Sequence, residues 1–189
     1  MIKQIALAAA LALATVSAAW AAMPAAVTDS SYTAADGTKA LQISIDIDAP
    51  APVVWKLFSD PATIKASGLS GAWIDLRNGG SLEEALFPGA QAGDPRNIRH
   101  EIITYIPGRL MVLKNLGTPP GVPGAEAYKK IVQIIEVTDL GGGRSRLTLT
   151  GAGYGSDADF TALWGFFHEH NPEFLVAAKA QAEAMAKAH

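Results

Sequence analysis

Residues 41–48 read Leu-Gln-Ile-Ser-Ile-Asp-Ile-Asp, apolar on every odd position and polar on every even one. A period of two predicts a half-buried strand. Asp48-Ala-Pro50-Ala-Pro52 stops it, and proline near a first helical turn opens a short helix over 53–58, with Val54, Trp55 and Phe58 facing inward. Asp60-Pro61 repeats the device, an acidic cap followed by proline, for one or two turns to about Lys65. The period then returns to two. Strands are predicted over 72–77 and 81–87, joined by Asn78-Gly79-Gly80, and over 97–106 and 109–115, joined by Pro107-Gly108. Two more follow over 128–138 and 144–151, joined by three consecutive glycines at 141–143. Residues 22–39 are small and polar without periodicity and read as a flexible leader. The segments 88–96 and 117–127 read as loops, long enough to serve as lids.

From Ser156 the period changes to that of a helix. Ser156-x-x-Asp159 resembles a capping box, and Phe160, Trp164, Phe167, Asn171, Phe174/Leu175, Ala178 and Met185 fall along one stripe. Pro172 interrupts it, so either one helix continues through a kink or Asn171 caps a second helix; the kinked, continuous arm is the favoured reading. The order of elements predicts an α+β domain over 40–189. A curved antiparallel sheet of about six to seven strands wraps round the long C-terminal helix, with two short helices after the first strand. One sheet curled over one helix leaves a gap between them, which makes a ligand cavity.

The ends and the composition narrow the picture. Lys3, an apolar run over 5–16 and Ala19-Trp20-Ala21 have the layout of a secretory signal peptide, with cleavage expected after Ala21. The mature protein is then expected in the periplasm or secreted, without stable membrane insertion. The alternative is an uncleaved anchor. The chain has no Cys, 15 Lys+Arg against 18 Asp+Glu and no basic run. That excludes thiol chemistry and a disulfide framework, and it disfavours nucleic acid as a partner. A monomer is expected.

The first-strand segment Ile43-Ser-Ile-Asp-Ile-Asp-Ala-Pro-Ala-Pro-Val-Val-Trp55-Lys-Leu-Phe58-Ser-Asp60-Pro61 and the later Gly142-Gly-Arg-Ser-Arg-Leu147-Thr-Leu149-Thr carry a resemblance. With them the chain resembles the SRPBCC superfamily of helix-grip proteins, which includes START-type lipid-transfer domains and polyketide cyclases. Gly151-Ala-Gly-Tyr154-Gly and Trp164-Gly-Phe-Phe167-x-x-x-Asn171 also look like the branch of homologues of the heat-shock chaperone ATPase activator. The resemblance covers about residues 41–187. It implies a cavity for a small hydrophobic or amphipathic molecule, lipid-like or polyketide/aromatic, with catalysis in some members. A signal peptide departs from the cytosolic activator members and argues against a chaperone partner.

Few residues carry chemistry. Trp164, Phe167 and Asn171 share a helix face, where the aromatics could wall a cavity and the amide could orient a ligand; the alternatives are core packing and a helix cap. Trp55, Trp73 and Tyr105 complete the candidate ligand-binding set. His168-Glu169-His170 invites a metal reading, but residues two apart diverge by about 200° on a helix, so no metal site is expected. His168 at the cavity edge is a candidate acid/base group. His100 and Glu101 are neighbours on a strand, so only one of them faces inward. Either could abstract a proton, as in a polyketide cyclase/dehydratase-like reaction; a solvated strand face is the plainer reading. No phosphate loop, nucleophile elbow or cofactor motif occurs, and no cofactor is expected. Three functions stay open: ligand binding, such an enzyme, and a protein-interaction module.

Overall fold

A computed structural model describes residues 23–188. The expected signal peptide, residues 1–21, lies outside them. Two short strands, β1 (Val27–Asp29) and β2 (Tyr32–Thr33), precede β3 (Lys39–Ile47). They pair antiparallel with β3, Val27 opposite Ile45 and Tyr32 opposite Ala40. The segment read as a flexible leader is thus partly strand. Its apolar residues are too sparse to show periodicity, and its pairing depends on an edge supplied by the domain.

Helix α1 (Ala51–Ser59) buries Val54, Trp55, Leu57 and Phe58. In α2 (Pro61–Ala66), Asp60 accepts a hydrogen bond from the Thr63 backbone N–H at 3.0 Å, the cap its sequence predicts. The sheet then continues through β4 (Gly71–Asp75), β5 (Gly80–Ala85), β6 (Ile98–Ile106) and β7 (Leu110–Gly117). A one-turn helix α3 (Ala125–Tyr128) interrupts it before β8 (Val132–Gly141) and β9 (Arg144–Tyr154). Tyr128, expected on a strand, therefore ends α3. The strand order is β1-β3-β9-β8-β7-β6-β5-β4, all neighbours antiparallel, with β2 on β3. The sheet is curved and open, and among the described residues it has nine strands rather than six or seven.

Helix α4 (Ala158–Lys187) runs unbroken through Pro172. Asp157 caps it, accepting from the Phe160 N–H at 3.0 Å. The helix has thirty residues and buries Phe160, Leu163, Phe167, Leu175, Ala178 and Ala182. These meet Leu41, Ile43, Ile45 and Ile47 of β3, which alternate inward as their sequence requires. Near the C-terminal end of α4, Lys179 donates to the Asp46 carbonyl at 2.9 Å and pairs with Glu183, which accepts from the Asp48 N–H at 3.0 Å. Gly124, at φ 63°, lets α3 approach α4, since a Cβ there would lie 2.4 Å from the Asp159 carbonyl oxygen.

Candidate functional site: the cavity between sheet and helices

The sheet and α4 close on each other at β3 and β9 but stand apart over β5 to β8, and a cavity of about 380 Å³ occupies the space. On β5 and β6 its wall follows the alternation of the strands, while consecutive residues reach it at 133–135 on β8 and 149–151 on β9. Leu82 and Glu84 come from β5, Ile98 and His100 from β6, Leu113 from β7, Gln133 and Ile135 from β8, and Leu149 and Gly151 from β9. Antiparallel register puts Leu82 opposite His100, Glu84 opposite Ile98, and Gln133 opposite Gly151. Helices α1, α2 and α4 supply Leu57, Phe58, Ile64, Asn171, Phe174, Ala178 and Gln181. The exposed liners are Ser67 after α2 and Phe174 and Ala177 on α4, which marks the mouth as lying between those elements. Gln181 bridges that side by donating to the Thr63 carbonyl at 3.1 Å.

A short polar chain crosses the mainly apolar interior. The Tyr128 hydroxyl donates to Gln133 Oε1 at 2.7 Å, and so accepts from His100 Nε2 at 3.1 Å. Asn115 Nδ2 donates to the Arg99 and Gly117 carbonyls and lies 3.4 Å from His100 Nε2. Burial lowers the His100 pKa from 6.5 to about 4, so the imidazole is neutral at pH 7. Tyr128 is likewise pushed well up by burial and packs edge-on against Phe167, ring centroids 5.1 Å apart. Tyr154 lies over Gly151, where a Cβ would stand 2.7 Å from its hydroxyl, and burial raises its pKa too.

Among the described residues Glu84 is the one acidic residue of the wall. Its backbone pairs in the sheet, but its carboxyl makes no hydrogen bond and no ion pair among the described residues. Loss of water around the carboxyl raises its pKa from 4.5 to about 7. The residue keeps intermediate surface exposure although protein surrounds it, so that exposed surface belongs to the cavity.

The sequence candidates separate clearly. His100 and Asn171 line the cavity, and Asn171 sits inside the continuous α4 rather than capping a second helix. Glu101 is exposed on the opposite face of β6 from His100. Trp55 is buried against Tyr105 at 6.1 Å, and Trp73 covers Gly71, where a Cβ would meet its ring at 2.6 Å; none of these three rings lines the cavity. Trp164 packs edge-on against Tyr154 at 5.1 Å, and Phe167 supports Tyr128, both one layer behind the wall. His168 is half-buried and outside the wall. His170 stacks on Phe166, and among the described residues no three His, Asp or Glu side chains group as metal ligands do. Loops 88–96 and 117–127 do not touch the cavity; they border a separate depression around Pro95, Arg99 and Pro119. Glu84, Tyr128, Gln133 and Tyr154 are among the liners the sequence reading missed. For Glu84 a signal existed: it stands two residues after Leu82, on the inward register of an alternating strand.

No family model matches the chain, and no curated protein matches its sequence. Solved structures do match it. Protein Ms6760 from Mycobacterium smegmatis is 19% identical, with a TM-score of 0.54, over 86% of this chain and 98% of its own. Norcoclaurine synthase from Thalictrum flavum, solved with dopamine and hydroxybenzaldehyde, is 16% identical with a TM-score of 0.54, over 80% and 88%. The Aha1 dimer from Colwellia psychrerythraea is 12% identical with a TM-score of 0.55, over 78% and 96%. The strand order, the terminal helix and these likenesses agree: the chain has the helix-grip fold.

Proposed function

We propose that this protein is an exported, monomeric binder of a small hydrophobic or amphipathic molecule, lipid-like or aromatic, held between the sheet and α4. The observation that carries the reading is the cavity itself: about 380 Å³, walled mainly by Leu, Ile and Phe, with a few fixed polar groups. Burial of apolar ligand surface there contributes roughly 25 cal/mol per Å², less the cost of ordering the ligand. A solved protein of the same fold, norcoclaurine synthase, was crystallised with two small aromatic molecules. An interaction module calls for a filled interior, and this interior is not filled.

Native mass spectrometry of protein taken from its own cell envelope tests the reading, with titration of the neutral apolar fluorophore N-phenyl-1-naphthylamine. A co-purifying apolar ligand, or saturable uptake of one equivalent of the fluorophore, is the expected result. Leu149→Trp, which fills the cavity from β9, abolishes that uptake while the fold persists. Folded wild-type protein that takes up neither refutes the reading. A mature chain beginning at Ala22 in the exported fraction supports export, and retention of Met1 overturns it.

Glu84 supports a second reading, a cyclase/dehydratase-like enzyme. A carboxyl with a pKa of about 7 in a cavity suits proton transfer near neutral pH. In that reading Glu84, rather than Glu101 or His168, is the base, and the His100–Tyr128–Gln133 chain orients the substrate.

A further inference from the structure

The cavity has an unusual charge inventory. One carboxyl, Glu84, reaches it without a partner, and no Lys or Arg lines it among the described residues. The other titratable groups facing the space are His100 on β6, Tyr128 at the end of α3 and Tyr154 on β9. All three are neutral at pH 7: the imidazole is driven down and both phenols are driven up by burial. Gln133, Asn171 and Gln181 add amides, which carry no charge. When Glu84 ionises, the interior therefore holds a net negative charge with nothing to balance it. A buried charge without a partner is costly, and a ligand that supplies the opposite charge removes that cost.

We infer that the cavity selects amphipathic amines, with a protonated amino head against the Glu84 carboxylate and an apolar body among Leu57, Leu82, Leu113, Ile135 and Leu149. The inference rests on the binding function proposed above and specifies its ligand class. A fatty-acid-like carboxylate would set two like charges against each other in a low dielectric and is rejected. A neutral alcohol fills the same space but leaves Glu84 without a counter-charge. The amine also leaves a signature in pH. Its binding stabilises the ionised form of Glu84, so a proton is released on binding wherever Glu84 is protonated in the free protein. Amine affinity therefore rises with pH through the neutral range, up to the point where the amine loses its own proton. Alcohol binding does not rise.

Isothermal titration calorimetry with octylamine, 1-octanol and octanoate on the mature protein tests this, at several values between pH 6 and pH 8. The expected order is octylamine tightest, then octanol, with octanoate weakest, and only octylamine tightens as pH rises. Glu84→Gln, close in shape, lowers octylamine affinity by roughly tenfold to a hundredfold, the range of a charged hydrogen bond, and brings the octylamine-to-octanol ratio toward one. If octanol binds but octylamine is no tighter, or if its affinity does not rise with pH, the amine inference is overturned while the binding function stands. If none of the three binds folded wild-type protein, the binding function fails and the inference fails with it. The wild-type pH series gives its answer even if the variant does not fold.

Discussion

Glu84 and His100 stand on adjacent strands of one sheet face, and burial drives their pKa values in opposite directions. Each native state prefers the neutral form. For Glu84 the folded pKa, about 7, lies above the unfolded value, so its stabilising contribution is complete below about pH 4.5 and is lost as pH rises through 7. For His100 the folded pKa, about 4, lies below the unfolded value of 6.5, so its contribution is complete above 6.5 and is lost as pH falls through 4. The two slopes oppose each other between about pH 4.5 and 6.5, and these groups leave stability nearly level there. Glu84→Gln removes one slope. The variant is expected to gain stability relative to wild type as pH rises from 5 to 8, by up to about 3 kcal/mol for a shift of this size. Urea unfolding at several pH values checks it; an equal difference at every pH would contradict the burial argument.

At the scale of elements, the cap of α4 illustrates how local chemistry sets a boundary. Ser156-x-x-Asp159 reads as a capping box, but Asp157 makes the bond to the Phe160 N–H. The box pattern was displaced by one residue because aspartate caps as well as serine does. Asp157→Ala is expected to cost about 1 kcal/mol, seen as a lower urea midpoint with an unchanged slope. The favoured expectation at Pro172 was a helix that kinks but stays continuous, and the helix does continue through it. The proline removes one internal hydrogen bond, yet Pro172 itself is buried, so packing holds the geometry that local propensity disfavours. Helix α3 shows the limit of the other kind: four residues, Ala125–Tyr128, carry too little periodicity to be read.

For the whole molecule, an open sheet exposes two edges. One is β4, and the other is covered at β3 by β1 and β2. Val27 joins the core from β1, and Met23 packs against it. Removing residues 23–33 would uncover a nine-residue strand whose side chains are mostly buried, an edge open to pairing with another copy. A chain beginning at Ala34 is therefore expected to unfold at lower temperature and to self-associate; calorimetry and sedimentation check both. Equal melting and a single species of unchanged size would show that the segment contributes nothing to the domain.

The alternation at 41–48, the proline-marked helix starts, the glycine turns at 78–80 and 141–143 and the aromatic stripe from Phe160 determined the class of fold, because each is a local period or a local backbone demand. They also put His100 and Asn171 in the candidate set. Which residues share one cavity was decided by register and curvature, which join positions distant in the chain. Glu84 meets His100, Tyr128 and Tyr154 in one wall only because β5, β6, α3 and β9 are brought together by the closed core. The same closure turned Glu101 to solvent and left Trp55, Trp73, Tyr105, Trp164 and Phe167 behind the wall. An aromatic side chain satisfies a packing layer and a ligand wall with the same sequence pattern, so only the tertiary fold tells them apart.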